Sequence, residues 1–296
     1  MRRSFFTLLF APLFFLACSP NNVTIDNSLQ RYFDSAGVQG SFGFFDNGQG
    51  HFTIYNLSRF RDSLYQPGAS FDILQSLIGV QTGVVKDDSS LLLDTPVTLS
   101  QAPAATSSQP PATMLSQNPP STMLSQSPPS TTLGQCFRDT SLAGRSGFIQ
   151  LSSRLGKDTL KKWIDSLRYG NQQIGRDTTG FWFDNSLKIN SDEQLGLLKK
   201  LYFDQLPFYP RPQLIVRRMM SGESNSNYQL RYKVAQGTKE DGHAIGWVMG
   251  WVEENTHPYF FVVNLESADP RKDLGAAGLS IARGILQQLG FFQGKK

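Results

Sequence analysis

Short apolar runs near the two ends of the chain enclose a middle with helical periodicity. Residues 41–46 (Ser-Phe-Gly-Phe-Phe-Asp) and 51–56 (His-Phe-Thr-Ile-Tyr-Asn) flank a Gly/Asn step, which predicts a β-hairpin. Residues 149–156 and 157–167 read as helical, broken at Gly156. The clearest amphipathic helix is 191–203. Ser191 is placed to cap it, Asp192 and Glu193 suit its first turn, Lys199 and Lys200 suit its last, and Leu195, Leu198 and Leu201 or Tyr202 share a face. Strand-like runs follow at 228–234, 244–252 and 258–264, and a last helix at 275–289. Strands near both termini around a mostly helical middle predict an α+β fold: one antiparallel sheet built from both ends of the chain, with flanking helices.

Two stretches break this pattern. Residues 1–17 read as a secretory signal, with Arg2-Arg3 ahead of an apolar run at 5–16 that is too short to span a bilayer. The run ends in Leu16-Ala17-Cys18, which resembles the bacterial lipobox, although Phe15 stands where that motif usually has leucine. The expectation is a lipoprotein of the bacterial cell envelope, facing the periplasm and anchored to the membrane through lipidated Cys18. Residues 18–28 would be its polar tether and 29–296 its domain. The second break is 95–135, with no charged residue and eight of the chain's 16 prolines. Leu115-Ser-Gln-Asn-Pro-Pro-Ser-Thr-Met123 is followed by the near copy Leu124-Ser-Gln-Ser-Pro-Pro-Ser-Thr-Thr132. Paired prolines favour extended backbone and the spacers offer little to bury, so this segment is expected to be a disordered surface insert, with folded character resuming at Arg138.

Composition narrows the classes. Hydrophobic residues make up 39% of the chain and include 22 phenylalanines, enough for a substantial core. Without Arg2 and Arg3 the formal charge falls from +4 to +2, and the remaining charges are interspersed, so nothing suggests nucleic acid as a partner. Apart from Cys18 the only cysteine is Cys136, which is read as a small buried hydrophobe. The three histidines, His51, His243 and His257, are scattered in the sequence, and neither a metal site nor a cofactor is expected.

The chemistry centres on Pro67-Gly-Ala69-Ser70-Phe71-Asp72-Ile73-Leu-Gln-Ser76-Leu77-Ile78-Gly-Val-Gln-Thr82-Gly83. This stretch resembles the nucleophile segment of class D β-lactamases (oxacillinases) and their penicillin-sensor relatives, where Pro-x-Ser-Thr-Phe-Lys opens a helix rich in Ser, Leu and Ile. Pro67, Phe71, Ile73, Ser76-Leu77-Ile78 and Thr82-Gly83 fix the register. The resemblance continues in order along the chain. Ser146-Gly147-Phe148 stands where that family has Ser-x-Val, and Tyr169-Gly170-Asn171 matches its Tyr-Gly-Asn. Phe181-Trp182 precedes the helix from Ser191, Lys233-Val234-Ala235 stands at Lys-Thr-Gly, and Gly246-Trp247-Val-Met-Gly250-Trp251-Val-Glu253 matches Gly-Trp-x-x-Gly-Trp-x-Glu. It implies a β-lactamase/transpeptidase fold.

It also implies a lost reaction. The family's nucleophilic serine falls on Ala69 and its general-base lysine on Asp72. Alanine has no nucleophile, and a carboxylate cannot form a lysine carbamate. Ser-x-x-Lys, Lys-Thr/Ser-Gly, Gly-x-Ser-x-Gly and His-Glu-x-x-His are all absent from the sequence. What the resemblance leaves is binding equipment: the backbone N–H groups of Ala69 and Gln236 in the place of an oxyanion hole, Ser146 and Lys233 as hydrogen-bonding side chains, and Trp182 as a retained aromatic. The family's carboxylate-binding arginine falls near Gly278. A non-catalytic envelope protein that binds a peptidoglycan-like peptide, a β-lactam or a protein partner is expected. The competing expectation is an active β-lactam hydrolase or DD-peptidase using Ser70 or Ser146 as a displaced nucleophile. A third is a purely structural envelope protein. Within the site, Asp72 either pairs with Lys233 on the neighbouring strand or faces solvent in an opened pocket.

Overall fold

A computed structural model of the chain describes residues 22–93, 131–176 and 179–296. The signal sequence, Cys18 and most of the Pro-rich insert lie outside the described residues.

The first element among the described residues is strand β1 (Val23–Ile25), so part of the segment expected to be a tether belongs to the sheet. Its Val/Thr/Ile side chains favour extended backbone, and it pairs in parallel with β3, Val23 opposite Phe52. Helix α1 (Gln30–Ala36) leads to β2 (Gln39–Asp46) and β3 (His51–Tyr55), the predicted hairpin, with Phe44 opposite Thr53. Helix α2 (Leu57–Asp62) follows, capped by the Asn56 side chain. A single 3₁₀ turn, Gly68–Phe71, then runs into α3 (Asp72–Gln81), which is buried along almost its whole length.

Beyond α3 the chain forms a two-stranded ribbon, β4 (Leu91–Leu93) with β5 (Thr131–Thr132), so the two ends of the insert lie side by side. Secondary structure is present from Thr131, seven residues ahead of the predicted Arg138. Thr132 and Gln135 form a reciprocal capping box on α4 (Leu133–Arg138), whose Leu133, Cys136 and Phe137 are fully buried. The uncharged, Pro-rich composition of the preceding repeat masked these signals. Helix α5 (Leu142–Leu155) begins seven residues before its predicted start because Asp139 and Ser141 supply its N-terminal hydrogen bonds. Gly156, at φ +77°, separates it from α6 (Lys157–Leu167), and α7 (Ser191–Tyr202) is capped by Asn190 rather than by Ser191.

Helix α8 (Pro210–Met219) precedes the C-terminal strands β6 (Ser221–Ser224), β7 (Gln229–Thr238), β8 (Ala244–Glu254) and β9 (His257–Ser267), and α9 (Leu274–Gln288) closes the chain. The seven-stranded sheet runs β1-β3-β2-β9-β8-β7-β6, antiparallel except for the β1–β3 pair. The N-terminal hairpin thus docks on the last long strand, Phe44 opposite Phe261, which makes the α+β architecture a consequence of joining the two termini. Side-chain alternation divides the core. One face packs on α1 and α9 through Phe42, Val248, Val263 and Ile285, and the other packs on the helical middle through Trp247, Met249, Phe260 and Leu198.

Candidate functional site: a cleft at the edge of β7

Strand β7 pairs with β6 only over Gln229–Tyr232, so its second half, from Lys233 on, presents a free edge to the 3₁₀ turn ahead of α3. Gly68 in that turn sits at φ +52°, and a β carbon on it would lie 2.0 Å from the Gln236 carbonyl oxygen. Only glycine lets the turn lie this close to the strand. The Thr238 N–H donates to Gln66 Oε1 at 2.8 Å, and the Gln66 carbonyl accepts from Trp247 Nε1 at 2.9 Å. Residues 236 and 238 share a parity in the antiparallel ladder, so the Gln236 peptide also faces away from β8 and toward the turn.

Between turn and strand lies a cleft of about 370 Å³. Ala69 and Asp72 form its floor, Gln236, Gly237 and Thr238 one wall, and Asp139 to Leu142 with Arg145 and Phe183 the other. Ala69, Asp72 and Gln236 therefore meet in one place. No side-chain nucleophile stands on the floor at position 69.

Asp72 is buried and takes a 3.0 Å hydrogen bond from Lys233 Nζ, itself buried. The alternative of a solvated Asp72 is excluded by this burial. Burial pushes the Asp72 carboxyl up to about 7 against the opposing pull of Lys233. Its position in the first turn of α3 also places it in the favourable end of the helix dipole. The Lys233 ammonium donates in addition to the Phe137 carbonyl and lies 4.5 Å from the centre of that ring. Two of its three N–H donors thus hold β7, α3 and α4 together. Lys233 lines a separate recess of about 310 Å³ with Arg138 and the start of α9, not the cleft over Ala69.

Other expected site residues are placed differently. Ser146 does not line the cleft: because α5 starts early, Ser146 is in its second turn, and its hydroxyl donates to the Leu142 carbonyl at 2.9 Å. Ser70 is fully buried. It donates to the Pro67 carbonyl at 2.8 Å and accepts from Gln194 Nε2 at 2.7 Å, pointing into the core and away from the cleft. Trp182 is fully buried against Phe71 and Phe181. Its carbonyl accepts from the Gly68 N–H, while its Nε1–H has no partner among the described residues. Gly278 packs against Val248 and Leu265, where even a β carbon would meet Val248 at 2.7 Å, so the position admits no longer side chain.

Tyr169-Gly170-Asn171 supports the site from behind. Asn171 donates to the Ser186 carbonyl at 2.8 Å and accepts from the Lys188 N–H at 3.0 Å, and a β carbon on Gly170 would lie 2.1 Å from the Lys188 carbonyl. This clasp fixes the segment whose Ile189 bridges to Tyr65, just ahead of the turn. The residues that motif matching missed, Asp139, Thr140, Arg145 and Phe183, carried one signal: Asp139-Thr-Ser141 is a helix-start pattern, which would have moved α5 and its first turn to the cleft.

His243, scattered in sequence, is brought to Asp241 and Glu266, with donor atoms all within 4.8 Å. Lys239 Nζ sits 3.0 Å from both carboxylates, and Arg59 donates to Glu266 at 2.9 Å. Burial raises the Glu266 carboxyl, but hydrogen bonds from Arg59, His243 and Lys239 outweigh it and hold the group down at about 2. Protein cations already neutralise this cluster, which clamps the β7–β8 turn to the end of β9.

Comparison with known proteins agrees with this geometry. Residues 33–289 match the penicillin binding protein transpeptidase domain. β-Lactamase OXA-20 of Pseudomonas aeruginosa is 35% identical over 138 residues, 47% of this chain and 50% of that protein. The chain thus spans about half the length of the curated relatives it matches at this level. β-Lactamase OXA-5 of the same organism is 26% identical over 265 residues, 86% of each chain. Among solved structures, a class D β-lactamase from Nostoc superposes with a TM-score of 0.72 at 28% identity, covering 90% of this chain and 99% of that one.

Proposed function

We propose, for a chain that belongs to the penicillin binding protein transpeptidase domain family with class D β-lactamases and their penicillin-sensor homologues as relatives, a role in binding rather than hydrolysis. A single observation carries this reading: the cleft floor presents the Ala69 methyl where an acylating member needs a hydroxyl, and the neighbouring Asp72 is bound up with Lys233. Ser70, next to Ala69 in the chain, is locked into the core, and the Ser141 hydroxyl on the cleft wall donates to Asp139. Backbone donors at the β7 edge and the roomy cleft still offer non-covalent contacts to a peptidoglycan-like peptide or a β-lactam. Cys18, as the lipidated first residue of the mature chain, holds the domain in the cell envelope.

Intact-mass measurement of the purified protein after incubation with benzylpenicillin tests the first part. No covalent adduct is expected from the wild type, which lacks the hydroxyl, or from Ala69→Ser, because the Asp72 carboxylate is held by Lys233 rather than free to take the serine proton. A stoichiometric acyl adduct on the wild type would overturn the reading. Fractionation of cells expressing Cys18→Ser tests the second: the variant is expected in the soluble fraction, and unchanged membrane association would refute anchoring through Cys18.

A further inference from the structure

Four charged side chains bear on the cleft, and three of them are already committed. Asp72 faces Lys233, which approaches from the neighbouring recess. Asp139 gives its oxygens to the start of α5: the Ser141 N–H at 2.8 Å, the Ser141 hydroxyl at 2.8 Å and the Gly144 N–H at 3.1 Å. Arg145 is different. It is the one cationic residue lining the cleft itself, and among the described residues its guanidinium has neither an ion pair nor a side-chain hydrogen bond. The guanidinium carbon lies 4.0 Å from the centre of the Phe183 ring. A planar guanidinium stacked on an aromatic face keeps its N–H edges free for a ligand. Burial also lowers the Arg145 pKa, as expected of a partly desolvated cation with no counter-charge. Across the cleft stands the free peptide edge of Gln236, with the Thr238 N–H already satisfied by Gln66.

From this arrangement we infer that Arg145 is the anion-recognising residue of the cleft, gripping the carboxylate of an amide-bearing organic acid whose amide lies along the Gln236 edge of β7. The inference rests on the binding role proposed above and adds to it the residue that selects an anionic ligand held without covalent bonding. Two parallel N–H···O bonds from a guanidinium explain why the free carboxylate, and not a neutral end, is selected. Leu142, largely exposed at the lip beside Arg145, offers apolar contact to the rest of the ligand.

The test is a calorimetric titration of the purified protein with N-acetyl-D-alanyl-D-alanine and with the same dipeptide as its C-terminal carboxamide. Wild type is expected to bind the carboxylate at least about tenfold more tightly than the carboxamide. Arg145→Gln should lose that preference and bind both like the wild type binds the carboxamide, while Arg145→Lys keeps part of it, since an ammonium retains the charge but not the fork. Arg145 is on the surface, so an unchanged melting temperature is expected to show that the variants fold. Ala69→Leu, which fills the floor, should abolish binding of both. If Arg145→Gln binds the carboxylate as tightly as wild type while Ala69→Leu does not, the assignment of Arg145 is overturned and the cleft remains a binding site. If wild type binds neither dipeptide, the ligand class proposed here fails, and if it binds both equally the carboxylate grip fails.

Discussion

Asp72 and Lys233 show how two buried charges constrain each other and their neighbours. A carboxylate in the first buried turn of α3 would cost several kcal/mol if left alone, and Lys233, buried on the facing strand, would cost as much. Together they form a pair whose ammonium also ties down the end of α4. Removing Lys233 by Lys233→Met should therefore destabilise the fold by about 3 kcal/mol at pH 8, measured by urea denaturation, and by less at pH 5. Asp72→Asn in the Lys233→Met background should recover part of the loss, whereas additive effects would show that the two groups do not interact. The pH sign follows from the raised carboxyl. With a folded value of about 7 against an ordinary carboxylate value in the unfolded chain, the native state holds the extra proton in between. The associated stability is complete below about pH 4 and is lost as pH rises through about 7. Wild type should thus lose stability relative to Asp72→Asn across that window, by at most about 1.4 kcal/mol per pH unit. A flat or rising difference would refute the assignment.

At the scale of elements, the cleft exists because the 3₁₀ turn and β7 approach without a side chain between them. Gly68→Ala combines an unfavourable positive φ with a clash against backbone, the Gln236 carbonyl, which has no rotamer to escape into. It should cost roughly 2 kcal/mol and weaken ligand binding in the cleft, because turn and strand must part. Wild-type stability in this variant would show that the turn is free to move. The first turn of α5 is the matching wall. Its Asp139 and Ser141 caps place Arg145 one turn on, over Phe183. Thus cap chemistry outside the matched motifs decides which side chains line the site.

The whole molecule accommodates the Pro-rich repeat because its two ends are joined by the β4–β5 ribbon, and Arg154 donates to the Leu91 and Leu92 carbonyls from α5. Cutting out residues 96–128, so that Asp94-Thr95 joins Pro129-Ser130, should shift the melting temperature by no more than about 2 °C. The removed composition contributes little apolar burial, and a shorter loop is slightly cheaper to close. A larger drop would show that the repeat packs on the domain. Deleting Thr131 and Thr132 as well should cost about 1 kcal/mol or more, since the capping box of α4 goes with them.

What the sequence determined by itself was the fold and the residues that stand at the motif positions. Period-two strands at both ends, a period-3.6 middle, and glycines in fixed motifs are local signals, and local propensity and burial agreed on them. Ala69 and Asp72 were legible through the family resemblance, whose register Pro67, Phe71, Ile73 and Ser76-Leu77-Ile78 fix along the helix. The tertiary structure decided what no linear pattern encodes: that Val23–Ile25 adds a strand to the sheet, that Ser146 spends its hydroxyl on its own helix, and that Ser70 points inward to Gln194. It also decided that Lys233 serves α3 and α4 rather than the cleft, and that Arg145, unremarked in any motif, is the unpaired cation there. These outcomes depend on which hydrogen-bond and charge partners three-dimensional packing brings within about 3 Å, a distance that sequence spacing does not fix.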